Sequence, residues 1–293
     1  MMSGVSLNNS STRLGGLKVD AVLDLIKTII LGIVEGITEF LPISSTGHLI
    51  VATALLNPSF DALFRSTFEI FIQVGAVVAI VAFYRVDIWN QVKTVRTDKH
   101  IQHFWIAIVI GCIPAAVIGL ATRNYIKTHL FSPVIVAVTL IIGGILFIVI
   151  ERFLVQKETQ TTDELTQVSY RQAAIIGVVQ VFSLIPGVSR SAASIFGGML
   201  TGLNRETATK FSFYLAIPTL GAATVVDLLL SLKGIHGNDF VFLAVGTVVS
   251  AIVAWFAIGW LLRYISRNTF VPFGYYRIAV GIIVLLLIAA AVL

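Results

Sequence analysis

Glu35 and Glu39 stand four residues apart, which on a helix puts both carboxylates on one face. Carboxylates held together repel unless one is protonated or a cation lies between them. The pair therefore suits general acid–base work or a hard-cation site for Mg²⁺ or Ca²⁺. The plainer alternative is two solvated carboxylates at a helix end. Downstream runs Leu41-Pro42-Ile43-Ser44-Ser45-Thr46-Gly47-His48. A helix N-cap needs one hydroxyl. Three of them, with His48 three residues beyond Ser45, exceed that need. Ser45 and His48 within one turn have the spacing of an activated nucleophile and its base. The same spacing fits His48 attacking directly, or serving as acid for a leaving group.

A second constellation follows in Gln180-Val181-Phe182-Ser183-Leu184-Ile185-Pro186-Gly187-Val188-Ser189-Arg190-Ser191. Ser189 or Ser191 can cap the helix that follows, whose first N–H groups form an anion site. Arg190 adds a planar fork of donors matched to phosphate oxygens. With Arg190, the hydroxyls of Ser44, Thr46, Ser189 and Ser191 make up the expected phosphate-binding set. The structural alternative pairs Arg190 with Glu35 or Glu39, and the two readings are compatible. Gln73, inside an apolar stretch, and Gln180, the counterpart of Glu35, are expected as supporting residues.

These residues sit in a chain that only a membrane protein would use. Of its 293 residues, 57% are hydrophobic and only 12% are charged, and the mean hydropathy is +0.95. So little charge cannot cover a water-soluble surface. The basic residues are scattered, which argues against nucleic acid, and the single Cys112 excludes an internal disulfide. Ionisable groups cost about 2.5–3.5 kcal/mol each in a bilayer core, so those retained there mark function.

Six segments reach the roughly 20 apolar residues of a spanning helix, near 66–84, 103–121, 133–152, 206–230, 239–263 and 273–293. Regions 21–57 and 170–202 are interrupted at Pro42 and Pro186 and read as re-entrant helix–loop–helix hairpins. The halves are similar. Gly32 aligns with Gly177, Glu35 with Gln180, Pro42 with Pro186 and Phe68 with Phe211. The expected fold is thus an all-α polytopic membrane protein with an inverted-topology repeat. After a polar tail (1–20), the first repeat (21–152) and the second (170–293) each hold one hairpin and three spans. A solvated loop, 153–169, joins them.

The excess of Lys and Arg marks the cytoplasmic side. Arg85, Lys93, Arg96, Lys99, Arg152, Lys157, Arg171, Arg205, Lys210, Arg263 and Arg267 share one side, against Arg13, Lys18, Lys27, Arg65, Arg123, Lys127 and Lys233. Both termini are therefore expected outside. A transporter or lipid flippase is the rival reading, because broken helices meeting at the midplane are also a transporter architecture.

Glu35 through His48, together with Pro186-Gly187-Val188-Ser189-Arg190-Ser191, resembles the undecaprenyl-diphosphate phosphatases, the bacitracin-resistance family. Phe68-Glu69 with Gln73-Val74-Gly75-Ala76, and Phe211-Ser212-Phe213-Tyr214-Leu215-Ala216-Ile217-Pro218, are similar to that family as well. The resemblance spans roughly 25–290. It implies a bacterial plasma-membrane hydrolase that converts undecaprenyl diphosphate to the monophosphate carrier for peptidoglycan synthesis, releasing inorganic phosphate. It places Glu35, Glu39, Ser45, His48 and Arg190 on catalytic positions, and Ser44, Ser189 and Ser191 on supporting ones. Where the family usually reads Gly-Ala-Thr after the Arg-Ser pair, this chain has Ala192-Ala193-Ser194; Ser194 keeps the hydroxyl. The implied partners are a polyprenyl diphosphate and membrane lipid, and the implied cofactor is a divalent cation. The sequence does not decide whether the chain forms a homodimer.

Overall fold

A bilayer leaves no water to satisfy backbone groups, so an apolar chain of this composition must satisfy them within helices. The computed structural model describes residues 13–14, 17–154, 164–231, 237 and 239–292, and they form eleven α-helices. Most of the expected tail (1–12 and 15–16), much of the inter-repeat loop (155–163, with Lys157) and Lys233 lie outside the described residues. Two-residue strands Arg13–Leu14 and Leu17–Lys18 pair antiparallel and lead directly into the first helix.

Helix α1 (Val19–Thr38) ends before Pro42, and α2 (Ser45–Leu56) resumes after it. Helix α3 (Ala62–Phe83) starts at Asp61, whose carboxylate accepts from Phe64 N at 2.8 Å. A short helix with no buried residue, α4 (Arg85–Thr94), connects it to α5 (Lys99–His129). Helix α6 (Pro133–Val149) closes in a π-helical turn, Ile150–Leu154. In the second half α7 (Tyr170–Gln180) opens with a capping box of Ser169 and Gln172 and passes through a 3-10 turn, Val181–Leu184. Then come α8 (Arg190–Leu200), α9 (Arg205–Ser231), α10 (Asp239–Ile265) and α11 (Val271–Ala289).

The protein is an all-α polytopic membrane protein. Among the described helices α3, α5, α6, α10 and α11 are long and apolar enough to cross a membrane. Helix α9 is not in that group, although it matches the expected span 206–230 and is 27 residues long. Many apolar side chains on these helices, such as Val117, Leu120, Ile142 and Leu286, are exposed. In water so large an apolar surface would drive association, whereas lipid tails cover it.

The packing is reciprocal. Helix α1 lies on α10, and its counterpart α7 lies on α5. Helix α3 packs on α10, as α9 packs on α5, while α3 meets α9 and α6 meets α11. Glycines permit the matching approaches. A Cβ on Gly32 would lie 2.8 Å from Gly246 O, and one on Gly177 would lie 2.5 Å from Gly111 O. The main core gathers Phe40, Leu41 and Ile43 of the first break with Ile195 and Phe196 of α8 and Phe211, Phe213 and Tyr214 of α9. Phe40 meets Phe213 edge-on, with ring centroids 5.3 Å apart.

Candidate active site

Both helix breaks are built the same way. Ser44 (φ 76°) and Ser189 (φ 77°) adopt backbone conformations that side chains rarely take, each at a cost of about 1–3 kcal/mol. Each caps the next helix, Ser44 Oγ accepting from Gly47 N and Ser189 Oγ from Ala192 N, both at 3.3 Å. In the second break Gly187 (φ 92°) lies so close to α6 that a Cβ would collide with Thr139 Oγ1.

The two tips meet through charge. Arg190 Nη2 donates to Glu39 Oε1 at 2.9 Å, and both side chains are largely buried. The other oxygen of Glu39 accepts from Ser45 Oγ at 2.5 Å. Arg190 Nη1 donates to Ser212 O and Oγ on α9, at 3.1 and 3.3 Å, while its buried Nε has no partner. Ser194 Oγ and Ser212 Oγ are 2.6 Å apart, which fixes the Ser212 hydroxyl. Ser191 Oγ donates across the gap to Leu41 O at 3.1 Å and lies 3.0 Å from Ser189 Oγ. A hydroxyl, a carboxylate and a guanidinium thus form one chain assembled from both hairpins.

His48 is placed differently from the sequence expectation. Its Nδ1 lies 2.8 Å from Ser44 O and its Nε2 lies 2.8 Å from Tyr276 Oη. A carbonyl only accepts, so Nδ1 carries the proton, and Nε2 of the neutral ring accepts from the tyrosine O–H. Ser45 therefore hydrogen-bonds to Glu39 and not to His48. As the first residue of α2, after the turn at Ser44, it points back toward α1.

Glu35 is fully buried, and neither carboxylate oxygen has a partner. Gln180, its counterpart, is also buried, with an unpartnered Oε1. Thr46 and Gln73 are half-buried, and neither hydrogen-bonds to the groups named above. No group of three His, Cys, Asp or Glu among the described residues is placed to hold a metal. Yet the free oxygens of Glu35 are hard donors beside Glu39, and a divalent ion is commonly held by one or two carboxylates plus substrate phosphate. That donor set fits such an ion.

Three residues of the site carry no role in the sequence reading. Arg277 of α11 is fully buried. It donates to Pro42 O (3.2 Å), Val188 O (3.0 Å) and Gly187 O (2.9 Å), and so fastens both breaks to one another. It needs the bare backbone of Gly143, where a Cβ would collide with the guanidinium. An arginine in the middle of an apolar span was a legible signal. Ser212 belongs to the Phe211–Pro218 motif, which by itself assigns it no partner, and nothing in the sequence singles out Tyr276.

The family model described as Bacitracin resistance protein BacA matches residues 28–283. An undecaprenyl-diphosphatase of Deinococcus radiodurans is 46% identical over 272 residues, covering 92% of this chain and 98% of that protein. One from a Thermoanaerobacter species is 46% identical over 265 residues, covering 90% and 97%. Another, from Lacticaseibacillus casei, is 42% identical over 273 residues, covering 90% and 98%. With a family match over most of its length and relatives this similar from end to end, the chain belongs to the bacitracin resistance protein BacA family.

Proposed function

We propose that this protein hydrolyses undecaprenyl diphosphate to undecaprenyl phosphate and inorganic phosphate, returning the lipid carrier to cell-wall synthesis. The observation that carries this reading is the chain Ser45 Oγ, Glu39, Arg190, drawn from both helix breaks. It joins a hydroxyl nucleophile to a proton acceptor and a phosphate-binding cation. The names of the relatives agree with it.

Arg190 receives the terminal phosphate through its free Nε and through Nη2 as Glu39 gives way. Glu39, released from that pair, takes the proton of Ser45, and Ser45 Oγ attacks the terminal phosphorus in line with the departing undecaprenyl phosphate. His48, whose Nε2 lone pair is its basic position, then activates the water that hydrolyses the phosphoserine. This order differs from a Ser45–His48 pair because Ser45 is bonded to the carboxylate. Ser44 and Thr46 supply further donors to phosphate oxygens, Ser189 and Ser191 do so by exchanging their bonds to one another and to Leu41 O, and Gln73, Gln180 and Ser194 support them. A divalent cation, Mg²⁺ or Ca²⁺, would be held by Glu35 with Glu39 and would supply charge neutralisation at the phosphates.

The reciprocal packing of the halves supports an inverted repeat whose hairpins enter from opposite sides. The loop charges support a plasma-membrane orientation with both termini outside. The test is inorganic phosphate release from undecaprenyl diphosphate by purified protein in detergent, with Mg²⁺, Ca²⁺ or EDTA, beside Arg190→Ala. Release that disappears in the variant is expected. No release under any of these conditions from folded protein overturns the reading.

A further inference from the structure

The geometry points to Tyr276 as a positioning residue of this site: its hydroxyl donates to His48 Nε2 and holds the imidazole in the tautomer that presents a lone pair. This rests on the phosphatase reading above. Three observations carry it. The Nε2 to Oη distance is 2.8 Å, and the two rings stack with centroids 5.6 Å apart and planes 5° from parallel. Ser44 O occupies Nδ1, so both ring nitrogens have fixed partners and the ring cannot turn over without losing both. The tyrosine is itself held in register. Its neighbour Arg277 is fully buried and anchors α11 to the carbonyls of Pro42, Gly187 and Val188 at the hairpin tips.

Tyr276 is 43% exposed, so the His48–Tyr276 pair lies at an accessible edge of the site while Glu39 and Ser45 lie inside. Water or phosphate approaching Nε2 has to displace a neutral phenol. That is a weaker competitor than the buried carboxylate and guanidinium set against each other between Glu39 and Arg190. Tyr276 thus keeps the base aligned in the resting site and yields it when a ligand arrives. The residue comes from the last span, 228 positions from His48, which is why no local motif contains it.

The experiment joins a tautomer measurement to kinetics in Tyr276→Phe, which keeps the ring and removes only the O–H. Protein labelled with nitrogen-15 in its histidine rings is compared with Tyr276→Phe, and the His48 signals are assigned by subtracting His48→Ala. The expected result is a protonated Nδ1 in both proteins, with the Nε2 resonance of Tyr276→Phe moved to the position of a nitrogen that accepts no hydrogen bond. Phosphate release should show kcat lower by about tenfold with KM within about twofold, the signature of a misaligned base rather than lost binding. A proton on Nε2 in the parent protein, an unmoved Nε2 resonance, or an unchanged kcat overturns the assignment. If the parent protein releases no phosphate, the phosphatase reading fails, and the nitrogen resonances still decide the His48–Tyr276 bond by themselves.

Discussion

The two helix breaks share a frame and differ in what they carry. Each has a proline, a serine in a strained conformation and a capping hydroxyl at the start of a short helix. The first then presents Glu35, Glu39, Ser45 and His48, side chains able to take up a proton or attack. The second presents Gln180 where the first has Glu35, and Arg190 in the first turn of its helix, side chains suited to hold an anion and not to move a proton. On the proposed mechanism, two similarly built breaks would thus be divided into a reactive half and a binding half. The ion pair between Glu39 and Arg190 is the seam at which they meet.

The strongest way to break this division is at the seam. Arg190→Ala removes the grip of the second hairpin and should lower phosphate release by about 10³-fold or more, as loss of an arginine does at other phosphoryl sites. Arg190→Lys keeps the charge without the fork and should recover only part of that. Glu39→Gln keeps the shape of the first hairpin but removes the base that takes the proton of Ser45. A fall of about 10²–10³-fold in kcat is expected, with the purified protein eluting as the parent does on size exclusion.

Exchanging the one position at which the hairpins correspond most directly sharpens the contrast. Glu35→Gln makes the first hairpin like the second. It should cost about 10²-fold in turnover while raising the melting temperature by a few degrees, because a buried carboxyl without partners is replaced by a neutral amide. Gln180→Glu should do the reverse, lowering the melting temperature and adding no activity. Thermal scans and phosphate release of both variants read this directly, and a gain of activity in Gln180→Glu would overturn the functional asymmetry. The smallest effects belong to the shared frame. Ser44→Ala and Ser189→Ala should each destabilise by about 1 kcal/mol through the lost cap, and the two shifts should be similar. Gly187→Ala should cost more, about 1–3 kcal/mol, because its φ of 92° and its contact with Thr139 both oppose a side chain.

The long helices were legible because a bilayer demands apolar runs of a set length. All six expected segments are helical, from α3 near 66–84 to α11 near 273–293. The breaks were legible from Pro42 and Pro186, and the polar residues around them from their rarity in such a chain. Pairing was less so. Spacing put Ser45 beside His48, but the turn at Ser44 sends its hydroxyl to Glu39 and the imidazole to Tyr276. No local pattern encodes a partner 228 residues away. Which glutamate meets Arg190 was left open by sequence, and the answer depends on the height at which two separate loops abut. Arg277 is a different case, a buried charge in a plain apolar span whose signal was present and passed over in favour of the motifs.

Arg277 also bears on how a long lipid can reach the reactive groups. Its guanidinium is shared between the carbonyls of Pro42 on one loop and Gly187 and Val188 on the other. Drawing the loops apart would strand a buried cation and three acceptors at once, a penalty of several kcal/mol. Opening the site like a pair of jaws is therefore costly. On the proposed function, a diphosphate would reach Arg190 along the flank where Tyr276 is exposed, its tail still among the lipids, while Arg277 holds the two loops together.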